Sequence, residues 1–130
     1  MVERIEYMGR TAAELANLTD EEFIKSLRSR ERRSIKRNGL NYKKLTEKAE
    51  RYKKKNISKP IRTHIREAVI LPSWVGMTFE VHDGKEFKKV IINWKMLGHR
   101  LGEYAYTTKR VLHSAPGIRA TRGSKFLAVK

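Results

Sequence analysis

The sequence predicts an α+β fold, in which a small sheet with a β-hairpin packs with helices. Three observations support this prediction: paired helix-capping signals near the N-terminus, an Asp-Gly turn between two alternating segments, and a charge distribution that divides the chain. The predicted parts are a helical, strongly basic N-terminal extension (residues 1–65), a compact α+β core (residues 66–107) and a flexible basic C-terminal tail (residues 108–130).

Two short helices are predicted near the N-terminus. Residues 11–14 (TAAE) and 19–22 (TDEE) each place a threonine three positions before a glutamate, which is the pattern of a capping box. The apolar side of these helices is predicted to comprise Leu15, Leu18, Phe23 and Leu27. We interpret this region as a packing unit without chemistry of its own. Its acidic residues are expected to face away from phosphates or to pair with the basic segment that follows.

The charge of the chain predicts a polyanionic partner. Thirty Lys and Arg stand against fourteen Asp and Glu, which gives a net charge of +16. The net charge is −3 over residues 1–27, +13 over residues 28–66 and +6 over residues 67–130. Such a cationic surface binds phosphates with release of condensed counterions. An anionic membrane is the rival partner, but the sequence lacks a lipidation motif and a basic helix with a broad aromatic face, so nucleic acid is favoured.

The middle of the chain is the most basic part. A basic run over residues 28–37 ends at a predicted turn, Asn38-Gly39, and residues 42–55 read as a helix with a thin apolar stripe of Leu45, Ala49 and Tyr52. Lysines are almost never buried unpaired, so this helix is expected to stay out of the deep core. A solvated charged helix is one interpretation. We favour the interpretation that residues 28–66 form an extension that RNA surrounds and that is poorly ordered without RNA.

The predicted core begins with an apolar run. Residues 68–71 are apolar and end at Pro72, and residues 78–82 and 86–92 are predicted strands of a hairpin. Asp83-Gly84 between the strands is a strong hairpin signal.

A helix is predicted after the hairpin, over residues 93–104, with Leu97, Leu101 and Tyr104 on one face. Gly98 and Gly102 disfavour a helix, and their spacing indicates close approach of another backbone, either protein or RNA. Trp74 is expected to pack in the core, whereas for Trp94 both core packing and base stacking remain open.

A window of residues 83–107 carries a family resemblance. Its eleven matching positions are Asp83-Gly84-Lys85, Ile92, Leu97-Gly98, Leu101-Gly102-Glu103-Tyr104 and Thr107. With them the chain resembles the family of small-subunit ribosomal protein number nineteen. Residues 70–72 and 75–76 resemble the stretch before the hairpin in this family, and residues 113–117 and 120–122 resemble the tail of its archaeal and eukaryotic members.

The resemblance implies a place in the ribosome. It implies a small α+β domain in the head of the small subunit, bound to the 3′ major domain of the small-subunit ribosomal RNA. It also implies small-subunit protein number thirteen as a neighbour and a tail that extends toward the decoding region and the A-site transfer RNA. A bridge to the large subunit would lie nearby.

Enzymatic chemistry is not expected. The four histidines form no HxxxH or HxH pair, and the chain has no cysteine, so we predict no metal site, no cofactor and no catalytic residues. The carboxylates of the predicted core are dispersed over the hairpin and the following helix. The charged N-terminus is not expected to be a secretory signal, and no apolar run is long enough to span a membrane. A cytoplasmic protein is therefore expected.

Candidate RNA contacts follow from position and charge. Arg62, His64 and Arg66 alternate after Pro60, so they are predicted to project on one side as a comb toward phosphates. Lys85 lies at the predicted hairpin tip, and His99 and Arg100 lie on the predicted helix. For each of these singly, ordinary solvated surface is an equal alternative. The tail adds Lys109, Arg110, His113, Arg119, Arg122 and Lys125.

Two other functional classes remain open at this stage. A general nucleic-acid-compacting protein would share the charge but would bind duplex DNA as well as ribosomal RNA. A membrane-surface or partner-protein module would bind anionic vesicles or a protein. We favour the hypothesis that the chain is a structural protein of the ribosome.

Overall fold

The computed structural model describes residues 5–108, which form two small sheets and four α-helices. An antiparallel ribbon consists of strands β1 (Ile5–Tyr7) and β2 (Arg10–Thr11). The helices are α1 (Ala12–Asn17), α2 (Asp20–Ser26), α3 (Ser29–Arg37) and α4 (Gly39–Lys54). A mixed sheet follows, with strands β3 (Ile61–Thr63), β4 (Thr78–His82) and β5 (Phe87–Ile91). The α+β class predicted from the sequence is confirmed.

Helices α1 and α2 begin at the two predicted capping boxes. The Thr11 N–H donates to Glu14 Oε2 at 3.0 Å, and the Glu14 N–H donates to Thr11 Oγ1 at 3.4 Å. The Thr19 N–H donates to Glu22 Oε2 at 3.1 Å, and the return bond to Thr19 Oγ1 is 3.4 Å long. Helices of six and seven residues are too short to be stable in isolation, so these caps and the packing of each helix hold them.

The mixed sheet combines one parallel and one antiparallel pairing. β3 pairs in parallel with β4, so that Ile61 lies beside Phe79 and Thr63 beside Val81. β4 and β5 form the predicted hairpin through the Asp83-Gly84 turn, with Phe79 beside Val90. The pairing of residues 61–63 was not predicted from the sequence, because a strand of three residues has no periodicity that marks it.

One hydrophobic cluster joins the helices to this sheet. Trp74 and Phe79 are almost fully buried, and their ring centroids lie 5.2 Å apart, so the prediction that Trp74 packs in the core is confirmed. Trp94 is half-buried against the same cluster. The buried contribution of the helical region comes from Leu15, Phe23, Leu27, Tyr42, Leu45 and Ala49. The cluster therefore extends across residue 65, where the sequence analysis places a boundary.

Helix α4 packs more deeply than expected. Tyr42, Leu45 and Ala49 are buried, while most of its lysines lie on other sides of the helix. The Tyr42 hydroxyl accepts a hydrogen bond from the Val69 N–H and donates to the Glu67 carbonyl at 3.2 Å. Desolvation by burial raises the pKa of Tyr42 to about 12. The predicted stripe is present at Leu45 and Ala49, with Tyr52 half-buried, and Tyr42 extends it by one buried residue that was not predicted.

The predicted helix over residues 93–104 is not present. Two 3₁₀ turns, Trp94–Met96 and Leu101–Tyr104, flank Gly98, whose φ of +74° ends the first of them. Backbone groups of this segment pair with the apolar run instead. The Ile70 N–H donates to the His99 carbonyl at 2.9 Å, and the Leu101 N–H donates to the Ala68 carbonyl at 2.9 Å. These non-local bonds take donors and acceptors that a helix would have used.

Both glycines of this segment lie under another part of the protein. A Cβ at Gly98 would lie 2.6 Å from the Tyr7 hydroxyl, and a Cβ at Gly102 would lie 3.0 Å from the backbone oxygen of Arg66. The predicted approach of another backbone is confirmed at Gly102, whereas at Gly98 the approaching group is the side chain of Tyr7; both groups belong to the protein. Within residues 5–108, no helix has the length and apolar character needed to cross a membrane.

Candidate nucleic-acid interface

The outer face of the mixed sheet carries two of the predicted RNA contacts. Arg62 on β3 is exposed and donates from Nε to Glu80 Oε2 at 2.7 Å. Its guanidinium also lies 5.3 Å from the centre of the Phe87 ring. The Arg62 side chain is 69% exposed, whereas that of Glu80 is 18% exposed, so the guanidinium presents its free side to solvent.

An aromatic group adjoins Arg62. The His64 ring lies 4.5 Å from that of His82 and 5.2 Å from that of Phe87, centroid to centroid. The Gly84 N–H donates to His82 Nδ1 at 3.1 Å, so the proton of neutral His82 is on Nε2. His64 is exposed and is the member of the group that a base can reach.

Arg66 does not join Arg62 and His64 on this face. Its guanidinium donates to the carbonyls of His82 at 2.6 Å, of Gly102 at 3.0 Å and of Ala105 at 2.5 Å. The predicted comb is therefore wrong in geometry, because the chain leaves the extended conformation after Thr63 and turns Arg66 inward. We call this arrangement the Arg66 clamp; it joins the hairpin to the last 3₁₀ turn.

The hairpin tip presents Lys85 to solvent. The Asp83 carboxylate accepts from the N–H groups of Lys85 at 2.8 Å and of Glu86 at 2.7 Å, and it pairs with Lys88 Nζ at 3.1 Å. The hydrogen bonds from the backbone of Glu86 and Lys85 hold the pKa of Asp83 well below its usual range. The tip is thus fixed by a charged carboxylate, and the Lys85 side chain is exposed on it.

Glu103 organises the next two predicted contacts. Its carboxylate lies 2.8 Å from His99 Nδ1 and accepts from the Arg100 N–H at 3.1 Å. His99 is exposed, and Arg100 is half-buried with its side chain beside α3. The two residues therefore face different neighbours, although they are adjacent in the chain.

A cleft between α3 and Arg100 brings four arginines together. It has a volume of about 400 Å³ and is lined by Arg30, Arg33, Arg37 and Arg100, with Ser29, Ser34, Asn38 and Glu67. We call it the arginine cleft. Sequence analysis recognised the basic run but singled out no arginine of α3. Their i, i+3, i+7 spacing was the available signal, because it places all three on one side of a helix.

The acidic N-terminal helices do not neutralise the basic ones. In the part of the chain that the structure describes, the ion pairs of carboxylates are with Arg51, Arg62, Lys88 and His99, and none joins α1 or α2 to α3 or α4. The expected alternative, that these acids face away from phosphates, is the arrangement consistent with this finding. Residues 5–108 also contain no group of three potential metal ligands.

The predicted tail contacts lie outside the described residues. They are Lys109, Arg110, His113, Arg119, Arg122 and Lys125.

Two comparisons with known proteins agree with each other. The sequence profile of the family described as ribosomal protein S19 matches residues 33–113, which is more than half of the chain. A curated relative, small ribosomal subunit protein uS19 of Saccharolobus solfataricus, is 46% identical over 126 residues, covering 95% of this chain and 90% of the relative.

Proposed function

The chain belongs to the ribosomal protein S19 family, and we propose that it binds the 3′ major (head) domain of the small-subunit ribosomal RNA. Family membership makes it a structural ribosomal protein, part of a ribonucleoprotein that serves translation, and not an enzyme. Its place is in the small ribosomal subunit, and hence in the cytoplasm; the relative from Saccharolobus solfataricus is likewise a small ribosomal subunit protein.

The observation that carries the proposal is the unbalanced charge of α3 and α4. Together these helices hold eleven basic and three acidic residues. Glu47 and Arg51 form the one ion pair found within them, with 3.6 Å between Oε2 and Nη2. Cations that mostly lack a carboxylate partner favour, at this density, a phosphate-rich ligand, because each phosphate contact releases condensed counterions.

The described surface offers contacts of two kinds. Arg62 and Lys85 present charge to phosphates, and His64 presents a ring to an unstacked base. Arg100 extends the charged surface toward α3, and His99 is exposed beside it in the chain. Arg66 supports the interface through its clamp, because its guanidinium already donates to three carbonyls.

The tail and the protein partners complete the proposal. Residues 108–130 extend toward the decoding A site and contact the A-site transfer RNA. Small-subunit protein number thirteen is the neighbouring protein in the head, and a bridge to the large subunit lies close by. These assignments are supported by the likeness of residues 113–117 and 120–122 to the tail of archaeal and eukaryotic members of the family.

A competition experiment tests the proposal. We expect the full chain to bind head-domain RNA more tightly than random RNA or duplex DNA at one salt concentration, and to lose affinity as salt rises. Each phosphate contact should add about −0.7 to −0.9 to the log–log slope. A second arm uses a chain without residues 113–130, which should keep most of its RNA affinity. Equal binding of all three ligands would indicate a general nucleic-acid-compacting protein instead.

A further inference from the structure

We propose that the arginine cleft binds two neighbouring phosphates of one RNA strand, and that this binding docks α3 onto the core. The inference rests on the proposed function for the identity of the polyanion. It goes further by naming the residues, the chemical group and the structural consequence.

The geometry of the cleft favours a multivalent anion. Arg30, Arg33 and Arg37 line it from one helix, and Arg100 lines it from the segment after Gly98. A guanidinium presents a planar fork of N–H donors that matches two phosphate oxygens. Four such forks around one cavity offer more donors than a single phosphate can accept.

The volume of the cleft supports two phosphates. The cleft has a volume of about 400 Å³, far more than the roughly 10–15 Å³ that a single water needs. A phosphodiester chain that places two consecutive phosphates in the cleft would use both the space and the donors.

The charges in the cleft favour an anion. Glu67 is the acidic residue that lines it, and its Oε2 accepts a hydrogen bond from Asn38 Nδ2 at 2.8 Å. Within residues 5–108, no carboxylate lies within 4.0 Å of the guanidinium nitrogens of these four arginines. Like charges repel when they are gathered in this way, and phosphates would convert the repulsion into attraction.

Weak packing of α3 couples the anion to the position of the helix. α3 buries no residue, and Ile35 is its one partly buried hydrophobic residue. The contact energy that holds the helix against the core is therefore small, while the repulsion between its arginines and Arg100 opposes docking. Binding of phosphates on both sides of the cleft would join α3 to the core.

The test compares two double variants with equal loss of charge. R33Q/R37Q removes two arginines of the cleft, and the matched control K25Q/K95Q removes two exposed lysines that do not line it. We expect R33Q/R37Q to lose about 10–100-fold in affinity for single-stranded RNA, and to lower the salt slope by about 1.4–1.8. The control should lose less than about threefold. R33K/R37K keeps the positive charge but loses the planar guanidinium groups. Its RNA affinity should lie between the affinities of the two glutamine doubles.

Hydrogen exchange of the α3 amides tests the coupling with the whole chain. Pyrophosphate, as a probe with two linked phosphates, should slow exchange in α3 of the wild type and leave R33Q/R37Q unchanged. Inorganic phosphate at the same ionic strength should have a smaller effect. Without any ligand, α3 of R33Q/R37Q should exchange more slowly than that of the wild type, because the repulsion is reduced.

Two results would overturn the inference: equal loss of RNA affinity in the two glutamine doubles, or α3 exchange that pyrophosphate does not change. A folding defect of R33Q/R37Q would show in the tryptophan fluorescence of Trp74 and Trp94, and the wild-type exchange experiment then decides alone. Failure of the proposed function is a separate outcome, since it would appear as equal affinity for head-domain and random RNA while the two doubles still differ.

Discussion

Helices α3 and α4 are adjacent and similarly basic, yet they use the same spacing for opposite purposes. In α4, positions i, i+3 and i+7 are Tyr42, Leu45 and Ala49, which are buried. In α3, the same spacing holds Arg30, Arg33 and Arg37, which line a cleft. A short apolar stripe is therefore enough to attach a basic helix to a core. A basic helix without such a stripe keeps its charged side chains available to bind an anion.

The largest expected effect is the loss of the α4 stripe. Leu45→Ala should lower the free energy of unfolding by about 2–5 kcal/mol, because it removes buried methyl groups and leaves a cavity. The matched control is Leu40→Ala in the same helix, where the side chain is 80% exposed and the change should stay within about 0.5 kcal/mol. Urea unfolding followed by tryptophan fluorescence, from Trp74 and Trp94, measures both. Equal losses would show that α4 is not anchored by its apolar side.

A smaller loss of stability is expected when the Tyr42 hydroxyl is removed. Tyr42→Phe leaves the buried Val69 N–H without its acceptor, which should cost about 1–3 kcal/mol. Tyr106→Phe is the control, since Tyr106 is 72% exposed. An unchanged unfolding free energy for Tyr42→Phe would mean that the Val69 N–H finds another partner.

The raised pKa of the Tyr42 hydroxyl predicts that the protein loses stability at high pH. Its pKa rises from 10 in the unfolded chain to about 12 in the folded one, so the unfolded state releases its proton first. Stability from this group is complete below pH 10 and is lost as the pH rises toward 12. Burial also raises the pKa of Tyr7 and of Tyr104, which act in the same direction. Tyr42→Phe should therefore reduce the pH dependence measured by urea unfolding, and a parallel curve would contradict the assignment.

The smallest effect is expected on α3. Arg32 is exposed and does not line the arginine cleft, so Arg32→Gln should change the free energy of unfolding by less than about 0.5 kcal/mol. Thermal unfolding beside Leu45→Ala gives the direct comparison. A loss as large as that of Leu45→Ala would show that the charges of α3 hold it to the protein, and the contrast between the two helices would fail.

Local signals predicted the local structure. The two capping boxes, the Asp83-Gly84 hairpin and most of the α4 stripe depend on residues a few positions apart, and each is present in the fold. These features can be predicted from the sequence because all the residues that form each of them lie in one short segment.

The candidate site was harder to predict from the sequence, because the residues that form it are distant from one another in the chain. The parallel pairing of β3 with β4, the Arg66 clamp and the opposition of Arg100 to α3 all join residues separated by many positions. No periodicity records such contacts. The helix predicted over residues 93–104 failed for the same reason, since residues 66–70 take its backbone bonds.

Arg66 acts as an internal cross-link between three stretches of backbone that the chain brings together. Three of its N–H donors are directed at carbonyl oxygens of the same molecule, so those donors are not available to phosphates. An ionic-strength titration should therefore register fewer phosphate contacts than the thirty Lys and Arg of the composition. A lysine at this position would keep the formal charge yet could not hold the three stretches with a planar fork.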